Sequence, residues 1–228
     1  MSTPARPTAS ESMIDISARD GFTLQAFRVR PKGLPRAGLI VLQEIFGLTE
    51  QMKSVVRSYA DEGYDTIFPC LFDRVERGLV VPVDEPARGR DLAYGLDLGK
   101  VRLDVDAAAQ ILDNPHGVFV IGFCWGGGVL VDLAERLNLA GAIAFYGTRL
   151  DTYLKNEPKC PLLFHFGETD PNSKPELIAA VRAAYPDAET YVYPAGHAFA
   201  NDARPSYVAE AAKTARDRTL AFMQRHAA

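Results

Sequence analysis

The chain has 228 residues, enough for one full domain with a buried core and little more. It is 47% hydrophobic and 24% charged, with 18 Gly and 15 Pro spread along its length, which argues against a disordered or fibrous protein. The formal net charge is −4 and Lys and Arg are scattered, so there is no basic stripe to hold nucleic acid or an anionic membrane surface.

Residues 1–11 are polar and rich in Pro, Thr and Ser, and are expected to be a flexible N-terminal segment ahead of a single domain over 12–228. No apolar stretch approaches membrane-spanning length and no signal-peptide core is present, so a cytoplasmic protein is expected. Cys70, Cys124 and Cys160 are far apart, an odd number without metal-type spacing, which leaves at least one thiol free.

Two alternating segments, Ser12 to Ser17 and Phe22 to Val29, flank Asp20-Gly21 and predict an antiparallel hairpin at a sheet edge. Beyond Ala37, short apolar runs alternate with helical patterns. The runs lie at Leu39 to Leu42, Thr66 to Phe68, Val118 to Gly122, Gly141 to Phe145, Leu162 to Phe166 and Thr190 to Tyr193. That alternation predicts an α/β fold, a mostly parallel sheet flanked by helices. Met52, Val55, Val56, Tyr59 and Ala60 form one helical stripe, and Val101, Val105, Ala108, Ala109 and Leu112 another. A last helix is expected to start near Pro205-Ser206, carrying Val208, Ala211, Ala215 and Phe222. The stretch from Asp73 to Gly89 is charged and rich in Pro and Gly, and reads as an irregular crossing over a site.

The segment VFVIGFCWGGG, Val118 to Gly128, joins an apolar strand to a glycine-rich helix start. Gly122-x-Cys124-x-Gly126 is a strand-turn-helix elbow with Cys in place of Ser, and its glycines permit the sharp turn and close approach. A helix N-terminus favours an anionic sulfur, and its free amides can hold an oxyanion. The Trp125 amide and one near Ile45, after the first parallel strand, are candidates for that hole. The competing reading of Cys124 is a small buried hydrophobe.

Elbow hydrolases order their triads as nucleophile, acid, histidine, with the last two on loops after later strands. Gly167-Glu168-Thr169-Asp170-Pro171 supplies the acid and Pro194-Ala195-Gly196-His197-Ala198-Phe199 the base. Asp170 lies further beyond the strand end than its rival Glu168. His165 lies within an apolar strand, His226 in the last helix and His116 in a turn at the other end of the sheet, which leaves His197. Glu44, in Gln43-Glu44-Ile45-Phe46-Gly47, follows a buried strand and would face the elbow; binding its own loop is the alternative.

With QEIFG at Gln43 to Gly47, GFCWGG at Gly122 to Gly127, GETD at Gly167 to Asp170 and AGHAF at Ala195 to Phe199, the chain resembles the dienelactone hydrolase (carboxymethylenebutenolidase) family of α/β-hydrolases over nearly its whole length. The resemblance implies a Cys124, Asp170 and His197 triad, with Glu44 near the resting thiol helping to form the thiolate, and oxyanion donors at the Ile45 and Trp125 amides. It also implies arginines that hold a substrate carboxylate. Arg90 looks like one of these, with Tyr94 as a pocket neighbour and Phe145, Tyr146 and Phe199 as further candidate pocket residues. The chain departs from the pattern at Asn201, where family members carry an arginine. Arg204 either replaces that arginine or is a solvated charge.

The expected activity is hydrolysis of a small ester or lactone, dienelactone-like and carboxylate-bearing, by a Cys-His-Asp acyl-enzyme route. No cofactor or metal, and no nucleic-acid or membrane partner, is expected; the oligomeric state stays open. The alternatives are a general carboxylesterase or thioesterase with an apolar pocket, and a non-catalytic α/β-hydrolase that binds a ligand or senses oxidants through Cys124.

Overall fold

A computed structural model describes residues 10–112 and 114–228. Eight strands form one sheet in the order β1-β2-β4-β3-β5-β6-β7-β8, where β1 is Ser10–Ser17, β2 Thr23–Arg30, β3 Gly38–Leu42, β4 Asp65–Pro69, β5 Val118–Phe123, β6 Gly141–Phe145, β7 Leu162–Gly167 and β8 Glu189–Tyr193. β1 and β2 are the antiparallel edge hairpin, β2 meets β4 antiparallel, and every other pairing is parallel. The first strand takes in Ser10 and Glu11, which were expected to be flexible; the rest of that expected segment lies outside the described residues. β3 to β7 are buried throughout, which is why they read as unbroken apolar runs.

Among the described residues the α-helices are α1 (Glu50–Asp61), α2 (Pro86–Gly95), α3 (Leu98–Leu112), α4 (Trp125–Arg136), α5 (Pro175–Ala184) and α6 (Ala209–His226). α3, α4 and α5 pack on one face of the sheet through residues such as Val105, Leu130 and Val181. α1 and α6 cover the other through Val56, Tyr59, Ala215 and Phe222. Two boundaries differ from expectation. The 73–89 stretch is bounded by a 3-10 turn, Leu71–Arg74, and ends inside α2, which starts at Pro86. α6 starts at Ala209, several residues past Pro205-Ser206, because residues up to Tyr207 turn back on Asn201 and Arg204.

From β3 the chain leaves through α1 to β4 on one side, and from β5 it leaves through α4 toward β6 on the other. The carboxyl ends of the adjacent strands β3 and β5 therefore flank the crevice where strand order reverses, the usual ligand position in an open α/β sheet.

Of the two histidines away from this edge in the interior and the last helix, His165 is fully buried in β7. Its ring nitrogens meet the Tyr193 hydroxyl at 2.8 Å and Thr219 Oγ1 at 3.0 Å. Burial, helped by the Arg218 charge, pushes its pKa down to about 3. Below about pH 6.5 the unfolded chain therefore takes up a proton that the native state refuses, and stability falls as pH drops toward 3 by up to about 1.4 kcal/mol per pH unit from this group alone. Urea unfolding of His165→Gln at pH 7, 5.5 and 4.5 should show lower stability at pH 7 but a flatter acid slope; an unchanged slope would assign the acid sensitivity elsewhere.

Candidate active site

Cys124 occupies the junction of β5 and α4 with φ 53° and ψ −113°, a region that costs a non-glycine residue about 1–3 kcal/mol. The surroundings enforce it. A Cβ on Gly122 would lie 2.2 Å from the Gly126 carbonyl oxygen, and one on Gly126 would lie 2.6 Å from that of Gln43. The Cys124 amide donates to the Phe145 carbonyl at 3.0 Å, and the Cys124 carbonyl accepts from Thr148 at 3.0 Å and Gly128 at 3.2 Å. These bonds lock the turn from three directions.

Two loops bring the partners. His197 Nδ1 lies 2.7 Å from Asp170 Oδ2, and its Nε2 lies 3.2 Å from Cys124 Sγ. The loops are stitched together by Thr169 N–H donating to the Ala195 carbonyl at 3.0 Å. Asp170 is buried and its other oxygen accepts from the Asn172 amide at 2.8 Å and Asn172 Nδ2 at 3.1 Å. Glu168 is exposed and takes no part. Burial acts most strongly against a charge on either group, yet the pairing wins for both. Asp170 is held below its ordinary pKa by His197 and Asn172, and His197 is raised to about 10 by its hydrogen bonds to Asp170 and the Cys124 sulfur.

Glu44 follows β3 and is buried, and burial raises its pKa against the opposing influence of His197, Arg204, Tyr146 and Asn201. Its oxygens accept from the Tyr146 hydroxyl at 3.2 Å and Asn201 Nδ2 at 3.1 Å. No hydrogen bond joins it to Cys124, whose sulfur is turned to His197. The backbone amides of Ile45 and Trp125 donate to no protein acceptor among the described residues.

These groups surround a cleft of about 130 Å³, walled also by Phe46, Pro86, Arg90, Tyr94, Thr148, Asn172 and Arg204. Arg204 thus belongs to the cleft wall and is not a solvated charge; its guanidinium lies 5.2 Å from the centre of the Phe46 ring. Asn201 is buried, does not line the cleft, and donates from Nδ2 to Glu44. Phe145 and Phe199 do not line this cleft: both are buried behind Tyr146, whose ring packs edge-on against His197 with centres 5.2 Å apart. Tyr146 itself touches Glu44 and His197 and does not line the cleft; its φ is 41°. The sequence reading missed Asn172, although Asp170-Pro171-Asn172 is an Asx-turn pattern, and it missed Thr148 and Arg149, whose guanidinium stacks 4.8 Å over Tyr94. Among the described residues no group of three or more His, Cys, Asp or Glu side chains could hold a metal ion, and no helix is long and apolar enough to cross a membrane.

The dienelactone hydrolase family model matches residues 24–227. Carboxymethylenebutenolidase of Pseudomonas putida is 33% identical over 225 residues, covering 92% of this chain and 94% of that protein. The carboxymethylenebutenolidase of Pseudomonas sp. strain P51 is 33% identical over 199 residues, covering 82% and 84%. A crystal structure from Klebsiella pneumoniae subsp. pneumoniae, assigned as a dienelactone hydrolase, superposes with a TM-score of 0.83 at 30% identity, covering 96% of this chain and 99% of that one. The Pyrococcus furiosus esterase Pf2001 shares the fold at 18% identity, with a TM-score of 0.71 and coverage of 96% and 94%. With its eight-stranded sheet, its elbow after β5 and likeness along almost its full length, the chain belongs to the dienelactone hydrolase family and is a hydrolase.

Proposed function

We propose that the chain hydrolyses a small, carboxylate-bearing ester or enol lactone through an acyl-enzyme on Cys124. The observation that carries this reading is the unbroken line from Asp170 through His197 to the Cys124 sulfur at the floor of the cleft. With His197 raised, against burial, to about 10 by its hydrogen bonds to Asp170 and the Cys124 sulfur, its Nε2 is a strong base placed to take the thiol proton as the sulfur attacks the carbonyl. The oxyanion that forms is placed on the unpaired Trp125 and Ile45 amides. His197 then donates its proton to the departing oxygen, which in a lactone stays attached to the acyl chain. A water deprotonated by His197 completes deacylation and frees the thiol. Tyr146, fixed by Glu44, is a positioning residue for the His197 ring. The three unpaired cysteines suit a single-domain enzyme acting in the reducing cytoplasm.

Arg90 and Arg204 on the cleft wall support an anionic substrate. Native protein is expected to turn over cis- or trans-dienelactone better than a neutral activated ester such as 4-nitrophenyl acetate. Arg90→Ala or Arg204→Ala should raise KM for the lactone about ten- to hundredfold, the worth of one charge-assisted hydrogen bond of about 1.5–3 kcal/mol, with the neutral ester unaffected. If both substrates suffer equally, the arginines have a structural role and the reading reverts to a general carboxylesterase or thioesterase.

A further inference from the structure

The loop 43–47 leaves β3 and brings Glu44 and Ile45 to the cleft wall. Its carbonyls are pinned in turn. That of Gln43 accepts from the Gly126 amide of α4 at 3.2 Å, and that of Phe46 from the Val81 amide at 3.0 Å. Between them the Ile45 carbonyl accepts from no backbone amide among the described residues. What meets it is the backbone of Gly89 in α2, where a Cβ would lie 2.3 Å from the carbonyl oxygen and 3.3 Å from its carbon. Carbon and oxygen in contact stand about 3.3 Å apart, so a methyl group there would drive helix and loop apart by about 1 Å.

α2 reaches the loop through its own residue pattern. Pro86, Arg90 and Tyr94, spaced four apart, share the face that lines the cleft, while Gly89 and Ala93, one turn apart, are the buried residues of the helix. A buried stripe of glycine and alanine lets the helix lie on the loop at backbone distance. The other glycine of α2, Gly95, has no such contact: a Cβ there meets nothing within 4 Å, and its φ is not positive.

We infer that Gly89 is a positioning residue for acyl transfer: by seating α2 on the Ile45 carbonyl it fixes the orientation of Ile45, whose N–H lies across the same Cα. The inference rests on the reading of that N–H as an oxyanion donor. Such a donor acts on a charge that exists only once the carbonyl has been attacked, so displacing it slows acyl transfer and leaves the thiol and its histidine as they were. Arg90 follows Gly89 on the same helix, so one contact sets both the arginine and the donor.

The test compares Gly89→Ala with Gly95→Ala in the full chain, two identical changes in one helix of which only the first meets the loop. 4-Nitrophenyl acetate is the substrate, since it carries no carboxylate for Arg90. Gly89→Ala should lower kcat/KM about hundredfold, the effect of a misplacement of about 1 Å, while iodoacetamide, whose displacement reaction forms no oxyanion, should alkylate Cys124 at the native rate. Gly95→Ala should match native protein in both. Native kcat/KM in Gly89→Ala would overturn the inference, and so would equal losses of hydrolysis and alkylation, which mean general damage to the cleft. If Gly89→Ala does not fold, Ala93→Gly, which loosens the same seat by one methyl group, should show a smaller fall in hydrolysis with alkylation unchanged; no fall, or a fall in both, overturns the inference. Native protein alkylated at Cys124 is assayed alongside. Full turnover by it would remove the acyl-enzyme reading and this inference together, whereas an inactive alkylated protein beside a fully active Gly89→Ala would remove only the role of Gly89.

Discussion

Cys124→Ala is expected to reduce ester and lactone turnover by at least about 10⁴-fold while leaving the fold intact, because it removes the proposed attacking atom and nothing that supports the sheet. The alanine keeps the Cβ, and the turn itself is held by backbone bonds to Phe145, Thr148 and Gly128. The companion change, Asp170→Asn, should cost a comparable factor by a different route. An amide can present its N–H to His197 Nδ1 and reverse the tautomer, so that Nε2 no longer accepts a proton from the sulfur. Mass spectrometry of the native enzyme, quenched during turnover, should show an acyl adduct on the peptide containing Cys124. A Cys124→Ala protein with native kinetics would remove Cys124 from the mechanism. A stable adduct without turnover would leave a binding or redox-sensing protein.

For stability, the largest single effect is expected at Arg74. Its guanidinium donates to both oxygens of Asp104 at 3.0 and 2.7 Å, to Asp20 at 2.7 and 3.2 Å, and stacks 4.1 Å over Phe22. One side chain thus ties the β1–β2 hairpin turn to α3. Asp104 is entirely buried, and burial raises its pKa even with Arg74 beside it, with Asp20 and Asp73 adding to the same direction. Arg74→Ala leaves that carboxylate without its partner, at a cost of about 3–5 kcal/mol. At roughly 2–4 °C per kcal/mol for a chain of this size, the melting temperature should fall by about 6–20 °C. Asp104 has its native pKa raised further in the variant, so the native state binds the extra proton and the deficit should shrink as pH is lowered from 7 to 5. A deficit independent of pH would mean that lost packing on Phe22, not the stranded charge, carries the effect.

The parallel strands and the order of Cys124, Asp170 and His197 were legible because both are written locally. A fully buried strand must be a continuous apolar run, and an elbow must have small residues on either side of its turn. The start of α2 was not legible, and the reason is Gly89. It sits in the helix where glycine weakens the pattern, yet a Cβ there would lie 2.3 Å from the Ile45 carbonyl oxygen, so close packing on the cleft loop requires it. The setting of Glu44 was hidden for another reason: its partners Tyr146 and Asn201 are 102 and 157 residues away, a pairing that no spacing rule carries. The same distance in sequence concealed that Asn201 holds Glu44. Arg204, three residues further on, reached the cleft because the chain turns there, with its amide donating to the Asn201 carbonyl at 3.0 Å.

The line from sulfur to carboxylate joins residues that no single segment contains: His197 is 73 residues beyond Cys124, on the loop after the last strand. During synthesis the cysteine therefore emerges from the ribosome well before its histidine, and for that interval it is a thiol among thiols. On the proposed mechanism, its activation waits until β8 docks on β7 and delivers the loop, so the rate of Cys124 alkylation by iodoacetamide in a refolding chain should become a clock for the closing of the sheet.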